Sequence, residues 1–369
     1  MRSVRWVAPT LVGVLALAGC GISAQDGGSP ERTAGASTRT SAAPDLADVS
    51  PLGDVRDWDG EVTAVADTPV DPVVGDPDPD LPVTVTDAQG TEVTVTDSSR
   101  ILALDVYGTL SRTVFELGLG DRLVGRDVST EFPEAKGLPL VTQNGHELNA
   151  ESILALDPTV IITDTSLGPW DVILQMRDAG IPVVVVDSHR GLDNVDDLIH
   201  EVADPLGVPA AGDALAKRTD RQVDAVTAEI AKVAPSDPDQ RLRTVFLYVR
   251  GQSGVYYMFG EGSGADSLID AIGGYDVAQE IGWNGMKPLT DEGLIAAQPD
   301  LVLMMTGGLE SAGGVDGLLK RLPALAQTPA GQHRRFVAMD DSQILGFGPI
   351  TASVLNALAV ATYAPGSVS

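Results

Sequence analysis

The chain has 369 residues, a formal charge of −28 and a single cysteine. Such an excess of acid argues against nucleic acid as a partner and against charge-driven adsorption to anionic lipid, and one cysteine excludes an internal disulfide. The length suffices for two lobes with separate cores.

Arg2 and Arg5 precede an apolar run from Trp6 to Ala18 that ends in Leu17-Ala18-Gly19-Cys20. A basic start, a short apolar stretch and small residues before a cut predict a secretory signal over residues 1–19, and the run is too short to span a bilayer. The pattern resembles a bacterial lipobox, which implies diacylation of Cys20. Each buried methylene contributes roughly 0.8 kcal/mol, enough in two or three acyl chains to hold the protein on the extracytoplasmic face of the cell membrane. From Gly21 to Asp80 there are 13 Asp or Glu against 3 Arg, with few large apolar residues. That composition predicts a disordered acidic linker over residues 20–80.

The folded part is expected over residues 81–364, with a tail at 365–369. It opens on a hairpin, Val83–Thr86 and Val93–Thr96, around Asp87–Gly90. Strands and helices then alternate: Ile101–Leu104, a helix near Leu110–Leu117, the helix after Asn149, Val160–Thr163, a helix near Trp170–Ala179, and Val183–Asp187. That rhythm predicts parallel βαβ units and an N-terminal lobe over 81–190. In the region 191–240 the pattern changes to one long helix near 209–234, with Leu215, Val223, Val226, Ile230 and Val233 on one face. A second series fills a C-terminal lobe over 241–364: Thr244–Val249, Gly254–Phe259, Ala265–Ile272, Leu301–Met305, Val315–Leu322, Phe336–Met339 and a last helix 350–362. The expected fold is α/β: two Rossmann-like lobes with parallel sheets, a long connecting α-helix, and a ligand cleft between the lobes.

An internal repeat supports two similar lobes. Leu148, Glu151, Ala155 and Pro158 recur as Leu289, Glu292, Ala296 and Pro299, each 141 residues later. Both copies read as a capped helix start, a short apolar helix, a proline stop and a β-branched strand. Glu151 and Glu292 sit in the first helical turn, where an acid complements the helix dipole.

Enzyme motifs are missing. Gly260-Glu-Gly262-Ser-Gly-Ala265 fits a loose dinucleotide fingerprint, but Glu261 would repel a pyrophosphate and no ribose-binding acid follows, which favours a structural turn. There is no Gly-x-Ser-x-Gly or His-Glu-x-x-His, and His146, His189, His200 and His333 lack metal-site spacing. The informative side chains are His146, Tyr248 and Arg250. Tyr248 and Arg250 alternate with Val249, so they share one strand face, at the carboxyl end where open α/β sheets bind ligands. A fixed cation beside a phenol favours the phenolate, a hard anion suited to ferric iron. His146 lies in the opposite lobe, within Asn144-Gly145-His146-Glu147.

The signal and lipobox, the hairpin, Gly118-Leu-Gly-Asp-Arg-Leu-Val-Gly125 and both Glu-bearing repeats resemble the class III substrate-binding lipoproteins of ABC importers for siderophores, heme and cobalamin. Asn144–Glu147 and Phe246-Leu-Tyr248-Val-Arg250-Gly251 are similar to the hemin-binding lipoproteins of Gram-positive heme uptake, the HmuT type. The resemblance implies heme as transported ligand, with His146 and Tyr248 as axial ligands and Arg250 hydrogen-bonding the phenolate. It also implies docking of Glu151 and Glu292 onto an ABC permease dimer with its ATPase subunits, by a monomer that is not an enzyme. Trp283 could stack on the porphyrin, and Met304 and Met305 could line the cleft or simply fill the core. A ferric-siderophore or cobalamin binder of the same fold would need no His–Tyr pair. A secreted hydrolase or a structural surface lipoprotein would be of a different class.

Overall fold

The computed structural model describes residues 41–368, so the signal segment and Cys20 lie outside the described residues. The described part of the expected linker, residues 41–80, is not a linker. Leu46, Val55, Trp58, Ala64 and Ala66 are buried, and Glu61–Ala64 (β1) forms a parallel edge strand against Phe336–Met339, with Ala64 opposite Met339. Arg56 fixes the segment by donating to the Gln240 and Arg241 carbonyls, each at 2.8 Å. The chain then passes to the other lobe, where the Arg112 guanidinium donates to Thr68 O at 2.9 Å and Val73 N–H to Glu116 O at 2.9 Å. Composition did not reveal this because an added edge strand is held by backbone groups that every residue carries. Residues 41–80 are a strap joined to both lobes.

The N-terminal lobe begins with the expected hairpin, Val83–Thr86 (β2) and Glu92–Val95 (β3), paired Val83 to Val95. Asp87 closes its turn by accepting the N–H groups of Gln89 and Thr91 at 3.0 and 2.8 Å. The lobe's sheet has three parallel strands, Ile101–Leu104 (β4), Val160–Thr163 (β7) and Val183–Val185 (β8), in the order β4-β7-β8. Between β4 and β7 stand helix Thr109–Glu116 (α1), the short hairpin Thr142–Gln143 (β5) and Glu147–Leu148 (β6), and helix Ala150–Ala155 (α2). Helix Trp170–Asp178 (α3) follows β7. Every residue of β4, β7 and β8 is buried, so these strands carry uninterrupted apolar runs rather than alternation. Helix Val195–Ala203 (α4) leads into the predicted long helix, Pro209–Val233 (α5), of 25 residues. Leu215 and Ile230 are buried on its inner face, and Val223, Val226 and Val233 pack beside them.

The C-terminal lobe contains Arg243–Arg250 (β9), Val255–Phe259 (β10), Tyr275–Asp276 (β11), Met286–Pro288 (β12), Leu301–Met305 (β13) and Phe336–Met339 (β14). Their order is β1-β14-β13-β9-β10-β12, with β11 also on β9. One expectation needs correction: β10 runs antiparallel to β9. Only Gly251–Gly254 separates them, far too short for a crossover. Helices Ala265–Ala271 (α6), Val277–Glu280 (α7), Asp291–Ala297 (α8), Thr306–Ala312 (α9), Gly314–Arg321 (α10), Pro329–His333 (α11) and Thr351–Tyr363 (α12) complete the lobe. The glycine-rich loop at 260–264 is structural: a Cβ on Gly260 would sit 1.8 Å from the Trp283 carbonyl oxygen. Both lobes and the described strap belong to one compact unit, bridged by α5, which packs on α4 and α12.

Candidate functional site

The site grows from strand alternation. Phe246, Tyr248 and Arg250 share one face of β9, and the β9–β10 register sets Tyr248 opposite Tyr257 and Arg250 opposite Val255. The Tyr248 ring stacks on Phe259 with centroids 6.0 Å apart, and meets Tyr257 edge-on at 6.5 Å. These aromatic contacts fix the ring where it emerges, half-buried, at the carboxyl end of the strand.

Arg250 lies over that ring, its Cζ 4.4 Å from the centroid. Its guanidinium donates to Val249 O at 3.0 Å and to Asp341 Oδ2 at 3.4 Å. The resemblance implied a hydrogen bond to the phenolate; the geometry found is a cation over the aromatic face. Asp341, absent from the sequence expectations, braces Arg250 and accepts the Gly307 N–H on its other oxygen at 2.9 Å. Its one legible signal was an acid just past a buried strand, β14, at the ligand edge of the sheet.

His146 is carried by the β5–β6 hairpin, where Gln143 pairs with Glu147. Asn144 and Gly145 take φ of 48° and 91°, the left-handed region that an Asn-Gly pair supplies cheaply. The imidazole is exposed at the loop tip. Partial desolvation by the surrounding loop and facing residues nonetheless lowers its pKa first, Arg250 lowers it further and Asp341 opposes them. The ring therefore stays neutral, with a lone pair free, to lower pH than a free imidazole. Because Arg250 and Asp341 belong to the other lobe, their influence means that His146 lies within electrostatic range of the group that braces Tyr248.

The remaining candidates separate. The β13–β9 register pairs Met304 with Leu247, so Met305 falls beside Tyr248. Met305 is half-buried on that face, whereas Met304 is fully buried on the opposite one among Val245, Leu247 and Val302. Met304 is core, as the period-two pattern of the strand demands. Trp283 also packs on that second cluster, with its indole N–H donated to Met258 O at 2.9 Å and its ring against Gly293. It braces α8 instead of facing Tyr248. Glu151 and Glu292 are exposed in the first turns of α2 and α8, which are capped by Asn149 and Thr290 through the N–H groups of Ser152 and Gly293. Neither acid forms an ion pair among the described residues.

Beside this edge, strap, N-terminal lobe and C-terminal lobe enclose a cavity of about 380 Å³. Beneath it Arg190 reaches Asp164 at 2.6 Å and Asp105 at 3.5 Å, and lies 5.1 Å from the Tyr107 ring centroid. Burial above all pushes the Asp105 carboxyl up to about 7; Arg190 pulls it down, and Asp164 and Asp127 push it up.

Residues 106–343 match the model described as periplasmic binding protein. The chain belongs to that family. Among solved structures, this periplasmic binding protein is similar to heme binding protein HmuT, with 41% identity and a TM-score of 0.80 over 84% of this chain and 99% of that one. The periplasmic heme-binding protein RhuT from Roseiflexus sp. RS-1, in apo form, gives 39% identity and a TM-score of 0.66 over 73% and 99%. A curated relative is the uncharacterized ABC transporter substrate-binding lipoprotein YvrC of Bacillus subtilis (strain 168), 25% identical over 77% of this chain and 86% of that protein. A cobalamin-binding protein of Halobacterium salinarum (strain ATCC 29341 / DSM 671 / R1) is 26% identical over 60% of this chain, which spans 58% of its length.

Proposed function

We propose that this protein captures heme in the interlobe cleft, with His146 and Tyr248 as axial iron ligands, and delivers it to an ABC permease. What supports the reading is a half-buried phenol, Tyr248, braced by aromatic rings and by Arg250 on one lobe, with Arg250 and Asp341 within electrostatic range of the His146 imidazole of the other. Phenol and imidazole are both established heme ligands, and a flat apolar macrocycle between two lobes needs one from each side. The likeness to HmuT supports it: that protein has been solved with a His, a Tyr, or the Arg two positions after the Tyr replaced by alanine, and Tyr248-x-Arg250 keeps that spacing. Arg250 and Met305 complete the ligand edge. Lipidation of Cys20 would anchor the protein to the membrane, and the exposed acids Glu151 and Glu292, one per lobe, would dock onto the two permease subunits.

The test is an absorption titration of the purified protein with ferric heme. A one-to-one complex with a six-coordinate spectrum is expected. Absence of a Soret change, together with tight binding of cobalamin, the ligand named for the Halobacterium relative, would overturn the proposal in favour of that ligand.

A further inference from the structure

The row of residues that contains Tyr248 runs on into the 380 Å³ cavity. Strand registers align Tyr248 beside Met305, Met305 with Met339, and Met339 with Ala64 of the strap, and Ala64 is a wall of the cavity. Thr306, the next residue after Met305, is another. At about 4.8 Å between strands, the cavity thus begins roughly one strand from Tyr248 and extends about two strands further, within the span of one macrocycle lying on this edge.

The walls carry several hydrogen-bonding groups without a partner among the described residues. Lys136, and the hydroxyls of Tyr107, Ser129, Thr63 and Thr306, have no side-chain hydrogen bond among the described residues, and Lys136 forms no ion pair there. Arg112 is already engaged by Glu116 at 2.8 Å and by strap carbonyls. Of the two acids that line the cavity, Asp340 accepts from Ser342 N–H at 2.9 Å and from its hydroxyl, while Glu131, like Lys136, is exposed and forms no ion pair among the described residues. Burial raises the pKa of the Tyr107 phenol, so it stays a donor across neutral pH. The free hydroxyls and the Lys136 ammonium can all donate, and together they fit an anionic acceptor.

We propose that this cavity holds the carboxylate arms of the macrocycle, with Lys136 as counter-charge and Tyr107 and Ser129 as hydrogen-bond donors. The inference rests on the heme reading. The strap would then be part of the binding site, since its residues Thr63 and Ala64 close one side of the subsite. The test compares hemin with hemin dimethyl ester, which lacks both carboxylates, on the full chain in detergent. Wild type should bind hemin more tightly. Lys136→Ala and Tyr107→Phe should each weaken hemin about fivefold, leave the ester unchanged, and keep the Soret position, since neither touches an axial ligand. Equal wild-type affinity for both porphyrins, or variants that weaken both alike, would overturn the subsite while leaving heme binding intact. No spectral response to either porphyrin would overturn the heme reading, and the subsite with it.

Discussion

The two lobes present their candidate ligands in different ways. Tyr248 rises from an interior strand, clamped by Phe259, Tyr257 and Arg250, whereas His146 sits exposed on the tip of a two-residue-strand hairpin. A ring held by a sheet is positioned before the ligand arrives; a ring on a loop tip can adjust to it. On the proposed heme reading, the lobe with the larger sheet sets the geometry and the smaller one completes it. The two acids proposed for docking show the opposite relation: Glu151 and Glu292 occupy equivalent capped first turns and should act alike.

The largest expected effect tests that equivalence. Reversing Glu151 and Glu292 to Lys together should reduce heme uptake by cells to background while heme binding in solution is unchanged; either single reversal should give an intermediate loss. Uptake that survives the double reversal would leave both acids as helix-dipole partners only. Next comes the asymmetry of the ligands. Tyr248→Ala should cost about 2 kcal/mol or more of heme affinity, the scale of a buried anchor, and His146→Ala about 1 kcal/mol. Titration at the Soret band measures both, and equal or reversed losses would remove the distinction between fixed and adjustable ligand.

A third prediction concerns the acid cluster under the N-terminal edge. The folded-state pKa of Asp105, about 7, lies above its ordinary 3.8, so the folded form holds that proton longer than the unfolded chain. Its contribution to stability is present below about pH 4 and is lost as pH rises through about 7. Asp105→Asn should gain stability relative to wild type as pH is raised from 4 to 8, read from unfolding midpoints. A constant difference across that range would mean that Arg190 keeps Asp105 ionised throughout.

The smallest expected effect is in motion. The lobes are tied by the 25-residue helix α5, which packs along both, and by the strap. The strap's irregular stretch after β1 is pinned by hydrogen bonds to Arg112 and Glu116 and so has few residues free to act as a hinge. Free and heme-loaded protein beginning at Ser41 should differ only slightly in radius of gyration by solution scattering. A clear decrease on loading would show that the two ties bend together.

Local patterns in the sequence were enough for much of this. Alternation in Val245–Arg250 put Tyr248 and Arg250 on one face, and the same period, followed from Val302, would have sent Met304 into the core. Asn149 and Thr290 announced capped helices with an acid in each first turn, and the apolar face of 209–234 gave a long packed helix. These features are legible because they depend on backbone periods of 2 and 3.6 and on caps a few residues apart. Tertiary structure alone decided the rest. Pairing of β1 with β14 joins residues more than 270 apart through backbone groups, and side-chain composition does not specify such partners. Likewise Asp341 meets Arg250, and Lys136 comes to share a cavity with Thr63 and Thr306, only because the sheet order and the crossing strap bring distant segments together. Side-chain periodicity fixes which face a residue takes; the folded chain decides what that face meets.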